Sequence, residues 1–104
     1  MEKQMTAYAV CLYNVWDQSW PPKYKEPVTS LIAKHGGKYI ARRSSCPWEM
    51  MEGDQPDITG VTLIEFPSME AAKAWHDDPE YQPYIKLRQT GSKVDMILVQ
   101  GCDR

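Results

Sequence analysis

Long apolar runs are missing from this sequence of 104 residues. The longest one near the start, residues 7–12, is followed within a few positions by Asn14 and Asp17. It is too short for the core of a secretory signal and far too short to span a membrane. Cysteine is scarce: Cys11, Cys46 and Cys102 are odd in number, widely spaced, and form neither a CxxC nor a zinc-ligand pair. Such spacing fits free thiols in a reducing compartment, and the cytoplasm is the expected address. A basic block is missing as well. Twelve Lys and Arg stand against fourteen Asp and Glu, for a net charge of -2 spread along the chain. A phosphate backbone therefore finds no electrostatic footprint, and neither nucleic acid nor a membrane is an expected partner. There is no Gly-rich phosphate loop, no HExxH, no Ser/His/Asp order and no paired-carboxylate motif, so no cofactor is expected. The six methionines are scattered, which argues against a soft-metal site.

What remains is an ordinary globular composition, 42% hydrophobic and 25% charged, of a length that fits one domain over residues 1–104 with its core between about residues 5 and 101. Residues 6–16, rich in aromatic and β-branched side chains, read as a first strand. Trp20, Pro21 and Pro22 break that pattern. Tyr24, Val28, Leu31, Ile32 and His35 then recur at helical spacing until Gly36 and Gly37, with an irregular turn or kink expected at Pro27. Residues 38–43 and 48–53 read as a second and a third strand, and residues 61–66 as a fourth. Ser68 is placed to cap a helix running to about Asp77. Asp78 and Pro79 read as the start of a further short helix carrying Tyr81, Tyr84, Leu87 and Arg88, and residues 96–101 close the chain as a strand. The order is that of the α+β ferredoxin-like split βαβ fold, βαββαβ with an antiparallel sheet, plus one extra short strand.

Successive side chains of a strand face opposite sides of the sheet, and here both sides are apolar. Ala7, Ala9, Cys11, Tyr13 and Val15 oppose Tyr8, Val10, Leu12 and Trp16; Val61 and Leu63 oppose Ile64 and Phe66; Met96 and Leu98 oppose Ile97 and Val99. Two helical segments cover only one face, so a homodimer through the other is expected.

Several residues are candidates for chemistry. His76 carries an imidazole, a side chain that can act as acid or base; its bland reading is a helix-end histidine favoured by the dipole. His35, before Gly36, fits that bland reading better still. Arg42 and Arg43 end the second strand, so one of them points inward, either to clamp a carboxylate or to pair with Glu52 or Glu65. Glu52 is correspondingly a general base or that arginine's partner. Trp48, Trp75, Tyr81 and Tyr84, with Tyr13 from the first strand, can line a pocket for an aromatic ligand or simply pack the core.

The stretches HGGKYIAR (residues 35–42), EGD (52–54), IEFPSMEAAKAWHDDPEYQ (64–82) and DMILVQG (95–101) resemble the domain-of-unknown-function family 1330, within the dimeric α/β barrel superfamily. The resemblance spans residues 7–101 and implies the ferredoxin-like fold and a dimer packed sheet to sheet. Superfamily relatives include cofactor-independent monooxygenases, isomerising and dehalogenating enzymes, cyclases and haem-degrading enzymes. Against the family pattern, Gln55 follows EGD where Trp is frequent, RRSSCPW is long, and His76 replaces a common Tyr. The leading expectation is a cofactor-independent enzyme of isomerase, lyase, cyclase or monooxygenase type. Its substrate would be a small aromatic or carbonyl-bearing molecule in a pocket between helices and sheet, beside Trp75 and His76. His76, Arg42 and Glu52 would do proton transfer and charge stabilisation, and Trp48, Trp75, Tyr81, Arg43 and Tyr13 would bind substrate. The competing expectation is a non-catalytic dimeric module that binds a small ligand or a protein. Haem or metal handling is a third, and it would need His35 or His76 in an open cavity.

Overall fold

Four strands and three helices follow one another in a computed structural model that describes residues 5–43 and 45–102. They are β1 (Ala7–Val15), α1 (Pro21–Lys34), β2 (Lys38–Ala41), β3 (Gly60–Phe66), α2 (Met69–Asp77), α3 (Gln82–Gln89) and β4 (Ser92–Gln100). The sheet is antiparallel in the order β2-β3-β1-β4, which is the α+β ferredoxin-like arrangement. No helix among the described residues is long and apolar enough to cross a membrane.

The two prolines that interrupt the first apolar pattern open α1 rather than delay it. Pro21 and Pro22 occupy its first turn, where a backbone N–H has no intrahelical acceptor to lose. The helix continues through Pro27 and buries Tyr24, Val28, Leu31 and Ile32, the stripe that the periodicity picks out. Its end is set by Gly36, whose φ of 80° lies in the left-handed region that favours glycine. Ser68 caps α2 by accepting from the Ala71 N–H at 3.0 Å.

Three expectations need correction. Residues 48–53 form no strand. β2 is an edge strand whose one neighbour is β3, and the exposed loop that follows it leaves the outer edge of β2 unpaired among the described residues. Asp78 caps a turn, accepting the Glu80 N–H at 2.9 Å, and the helix itself starts four residues later with Pro83 in its first turn. β4 begins at Ser92 instead of Met96, pairing Asn14 with Lys93 and Val15 with Ser92.

All three helices lie on one face of the sheet. Ala9, Cys11, Tyr13, Val15, Ile64 and Phe66 from the strands meet Trp20, Tyr24, Val28, Leu31, Ile32, Trp75 and Tyr81 there. Trp75 stacks on Tyr81 with ring centroids 4.6 Å apart and lies 5.3 Å from Phe66. The opposite face carries Val10 between Leu63 and Ile97, with Tyr8, Leu12, Val61 and Val99 around that row. Ile97 is 58% exposed and Val99 49%, so no element among the described residues covers this patch. Charge borders it at both ends: Glu65, paired with Lys38 at 3.8 Å, stands beside Tyr8 at one. Asn14, Lys93 and Asp95 occupy the other end, flanked by residues 54–58 of the long loop.

Candidate functional site

A cavity of about 410 Å³ opens between the first turns of α1 and the ends of β1, β2 and β3. Its walls are aromatic: Tyr13 from β1, Trp20 and Tyr24 from the start of α1, and Tyr39 from β2. Its charged lining groups are Lys25, Arg42 and Arg43, all cationic. Pro21 and Pro22 bring Trp20 and Tyr24 over the sheet by starting α1 early.

Arg42 and Arg43 both reach this cavity. The alternation that would send them to opposite faces ends with β2 at Ala41, after a register shift between Tyr39 and Ala41. The chain then turns, with the Cys46 N–H donating to the Arg42 carbonyl at 2.9 Å and the Arg42 N–H donating to Cys46 Sγ at 3.3 Å. The Arg43 N–H donates to Oγ1 of buried Thr62 at 3.0 Å, which pins the second arginine to β3. Opposite it, Gly60 leaves the space that the Arg43 side-chain carbons fill; a Cβ at Gly60 would overlap them. Neither guanidinium forms an ion pair among the described residues, and Glu65 faces Lys38 instead, at 3.8 Å. The Arg42 guanidinium carbon lies 4.1 Å from the centre of the Tyr39 ring, and that of Arg43 lies 5.7 Å from Tyr13. Ring faces hold these cations without neutralising them, so their hydrogen-bond donors stay available to an anion.

Beneath the aromatic wall lies a polar chain. The Tyr24 and Tyr81 hydroxyl oxygens are 2.6 Å apart, and Arg88 Nη1 donates to the Tyr81 hydroxyl at 3.2 Å. Arg88 is buried, no carboxylate pairs with it among the described residues, and its Nε has no acceptor. Trp20 Nε1 is likewise buried without a partner. Burial pushes the Tyr81 hydroxyl up to about 12, against the pull of the Arg88 charge, and raises Tyr13 and Tyr24 well above the ordinary tyrosine value. These hydroxyls are neutral at physiological pH and act there as hydrogen-bond donors or acceptors.

His76 stands elsewhere. A second cavity of about 300 Å³, between α2 and strands β1 and β4, is lined by Trp75, His76 and Asp77 with Ala9, Met96 and Leu98. The His76 ring is half exposed, with Nδ1 3.9 Å from Asp77. The two cavities are divided by the packed rings of Trp75, Tyr81 and Tyr24. Glu52 and Trp48 lie in the exposed loop after β2 and line neither cavity. The expected residues thus separate into Tyr13, Arg42 and Arg43 at the first cavity, Trp75 and His76 at the second, and Tyr81 between them. His35 is occupied structurally: its Nε2 lies 2.8 Å from Asp78 Oδ2, which also accepts from Lys34 at 3.0 Å. No three His, Cys, Asp or Glu side chains cluster as a metal site among the described residues.

Tyr24, Tyr39 and Arg88 join the first cavity and its support without having been singled out from sequence. For Arg88 a signal existed, because it recurs with Tyr81 and Tyr84 on the helix face expected to turn inward, where a cation is out of place.

The family model described as Domain of unknown function (DUF1330) matches residues 6–102. No curated protein matches the chain. Among solved structures, a protein of unknown function from Rhodopseudomonas palustris is similar with a TM-score of 0.73 at 18% identity, covering 98% of this chain and 86% of that one. A hypothetical protein of Arabidopsis thaliana gives 0.64 at 16% identity, covering 100% and 95%. SnoaB, a cofactor-independent oxygenase from Streptomyces nogalater, gives 0.61 at 10% identity, covering 96% of each chain. At these identities the likeness is one of fold.

Proposed function

Since the chain belongs to the DUF1330 family, whose description assigns no reaction, function is read from the cavities, and we propose a small cofactor-independent enzyme acting on an aromatic or carbonyl-bearing metabolite at the first of them. One observation carries the reading: an aromatic-walled cavity between helix and sheet whose charged lining groups are Lys25, Arg42 and Arg43, none of them neutralised by an ion pair among the described residues. Such a site binds a flat, partly apolar molecule through its rings and the negative charge of that molecule through the guanidiniums. Burial raises the hydroxyls of its tyrosines Tyr13, Tyr24 and Tyr39, which therefore stay neutral, so its contribution is to hold and stabilise charge on the substrate. Isomerisation, lyase, cyclisation and cofactor-free oxygenation through an enolate or phenolate all use such stabilisation. The fold is compatible with the last of these, since SnoaB shares it.

A second reading places the proton-transfer step at the other cavity, because His76 lines it and an imidazole can serve as a general acid or base. A non-catalytic binding module is the alternative to both, and it gains weight from the separation of His76, Arg42 and Glu52.

The partner in this proposal is a second copy of the chain. The row Ile97, Val10 and Leu63 is an apolar stripe that the described residues leave uncovered, bounded by Glu65 and Lys38 at one end and by Lys93 and Asp95 at the other, and packing it against its own copy removes it from water.

The enzyme reading is tested by a panel of aromatic carboxylates, phenols and β-dicarbonyl compounds, scored first by thermal shift and then by product mass. Oxygen consumption is followed in parallel. Compounds that stabilise the protein, with at least one turned over and turnover lost in the Arg42→Ala, Arg43→Ala double variant, support it. Binding with no turnover across the panel favours the module, and no binding at all removes the cavity as the site.

A further inference from the structure

The proton count of the polar chain under the first cavity has a directional consequence. Guanidinium is a donor only, so the Tyr81 oxygen accepts from Arg88. Two arrangements then remain for the pair of hydroxyls 2.6 Å apart. If Tyr24 donates to Tyr81, the proton of Tyr81 is left without an acceptor inside a fully buried residue. If Tyr81 donates to Tyr24, both groups of the buried residue are used, and the proton left over is that of Tyr24, a residue that lines the cavity. Both residues are buried, but Tyr24 lines the cavity and Tyr81 does not, so a group in the cavity can accept the Tyr24 proton and not that of Tyr81, and the second arrangement prevails.

We propose that Arg88, acting through Tyr81, orients the Tyr24 hydroxyl as a hydrogen-bond donor to an oxygen anion of the molecule in the first cavity, a phenolate or enolate oxygen held between this donor and the arginines. Tyr24 is a binding residue in this scheme, while Tyr81 and Arg88 are positioning residues. The proposal rests on the first cavity being the site. It accounts for a cation buried without a carboxylate: Arg88 polarises the chain of hydroxyls toward a negative charge that arrives with the ligand. A carboxylate partner for Arg88 would cancel that polarisation, and none is present among the described residues.

The test compares 4-nitrophenolate, at a pH where it is ionised, with nitrobenzene, its uncharged analogue, on the full chain. In the wild type the bound phenolate shows a blue-shifted absorption band, the mark of a hydrogen-bonded oxyanion. Tyr24→Phe and Tyr81→Phe each weaken phenolate binding about tenfold, the scale of one charge-assisted hydrogen bond, and reverse part of the band shift, while nitrobenzene affinity stays within about twofold. The two variants are close in shape to the parent, and either one alone decides the matter if the other fails to fold. Phenolate affinity and band position unchanged in a folded variant overturn the inference while leaving the cavity as the site. Binding of neither probe overturns both.

Discussion

A guanidinium seated on an aromatic ring keeps its charge and its donors but loses its freedom, and Arg42 over Tyr39 and Arg43 near Tyr13 are in that condition. On the proposed reading each gives an anionic ligand about 1.5–3 kcal/mol, as hydrogen bonds to charged groups do. Single Arg42→Ala and Arg43→Ala variants are therefore expected to weaken binding of an aromatic carboxylate roughly tenfold to a hundredfold, with little effect on its amide, by calorimetric titration. Gly60→Ala is expected to reproduce the Arg43→Ala loss without touching a charge, because the added methyl takes the space of the Arg43 side-chain carbons. A Gly60→Ala protein with full affinity and an unchanged melting temperature would show that Arg43 moves freely there. The two arginines were visible in the sequence, but their common destination was not. Strand alternation separates consecutive residues, and it stopped applying when β2 ended at Ala41.

Outside the sheet ladders, side-chain polar contacts join the elements at few places, and one of them is the joint between the end of α1 and the turn leading into α3. Asp78 accepts from His35, from the Glu80 N–H and from Lys34, and these partners, His35 first, hold its carboxyl well below the ordinary value of 3.8. A carboxylate depressed in the folded state stabilises the fold above its unfolded value and ceases to do so as pH falls through the folded one. Urea denaturation should therefore show Asp78→Asn less stable than wild type by a constant amount above about pH 5, with the gap narrowing below about pH 4. A gap that widens on acidification would contradict this role. Most elements were legible from sequence because the local signals and the packing agree: the Tyr24, Val28, Leu31 and Ile32 stripe, the Ser68 cap and the alternation of β1 all survive in the fold. The misreadings fall where a local signal needed a distant partner. Residues 48–53 have strand-like side chains but lie in an exposed loop that does not add to the open edge of β2, whereas Lys93, Val94 and Asp95 look unlike a buried strand yet find β1 beside them.

At the scale of the whole molecule, three helices cover one face of the sheet and leave the other open, and the alternation in the sequence had already divided the strand residues between the two. The sequence overstated the apolar extent of the open face, since Asn14, Lys93 and Asp95 belong to it. Analytical ultracentrifugation at micromolar concentration is expected to give a dimer, and Ile97→Lys a folded monomer, because Ile97 is exposed in the single chain. A monomeric wild type would contradict the pairing. Candidate residues were harder to sort than elements, because residues such as Arg42 and His76 look equally reactive in sequence and the fold sends them to cavities on opposite sides of Trp75, Tyr81 and Tyr24. Backbone amide NMR titration with an aromatic carboxylate such as benzoate separates those two places directly. The account predicts shifts concentrated at Tyr13, Trp20, Tyr24, Tyr39, Arg42 and Arg43; shifts concentrated at Ala72, Trp75, His76 and Met96 instead would contradict it.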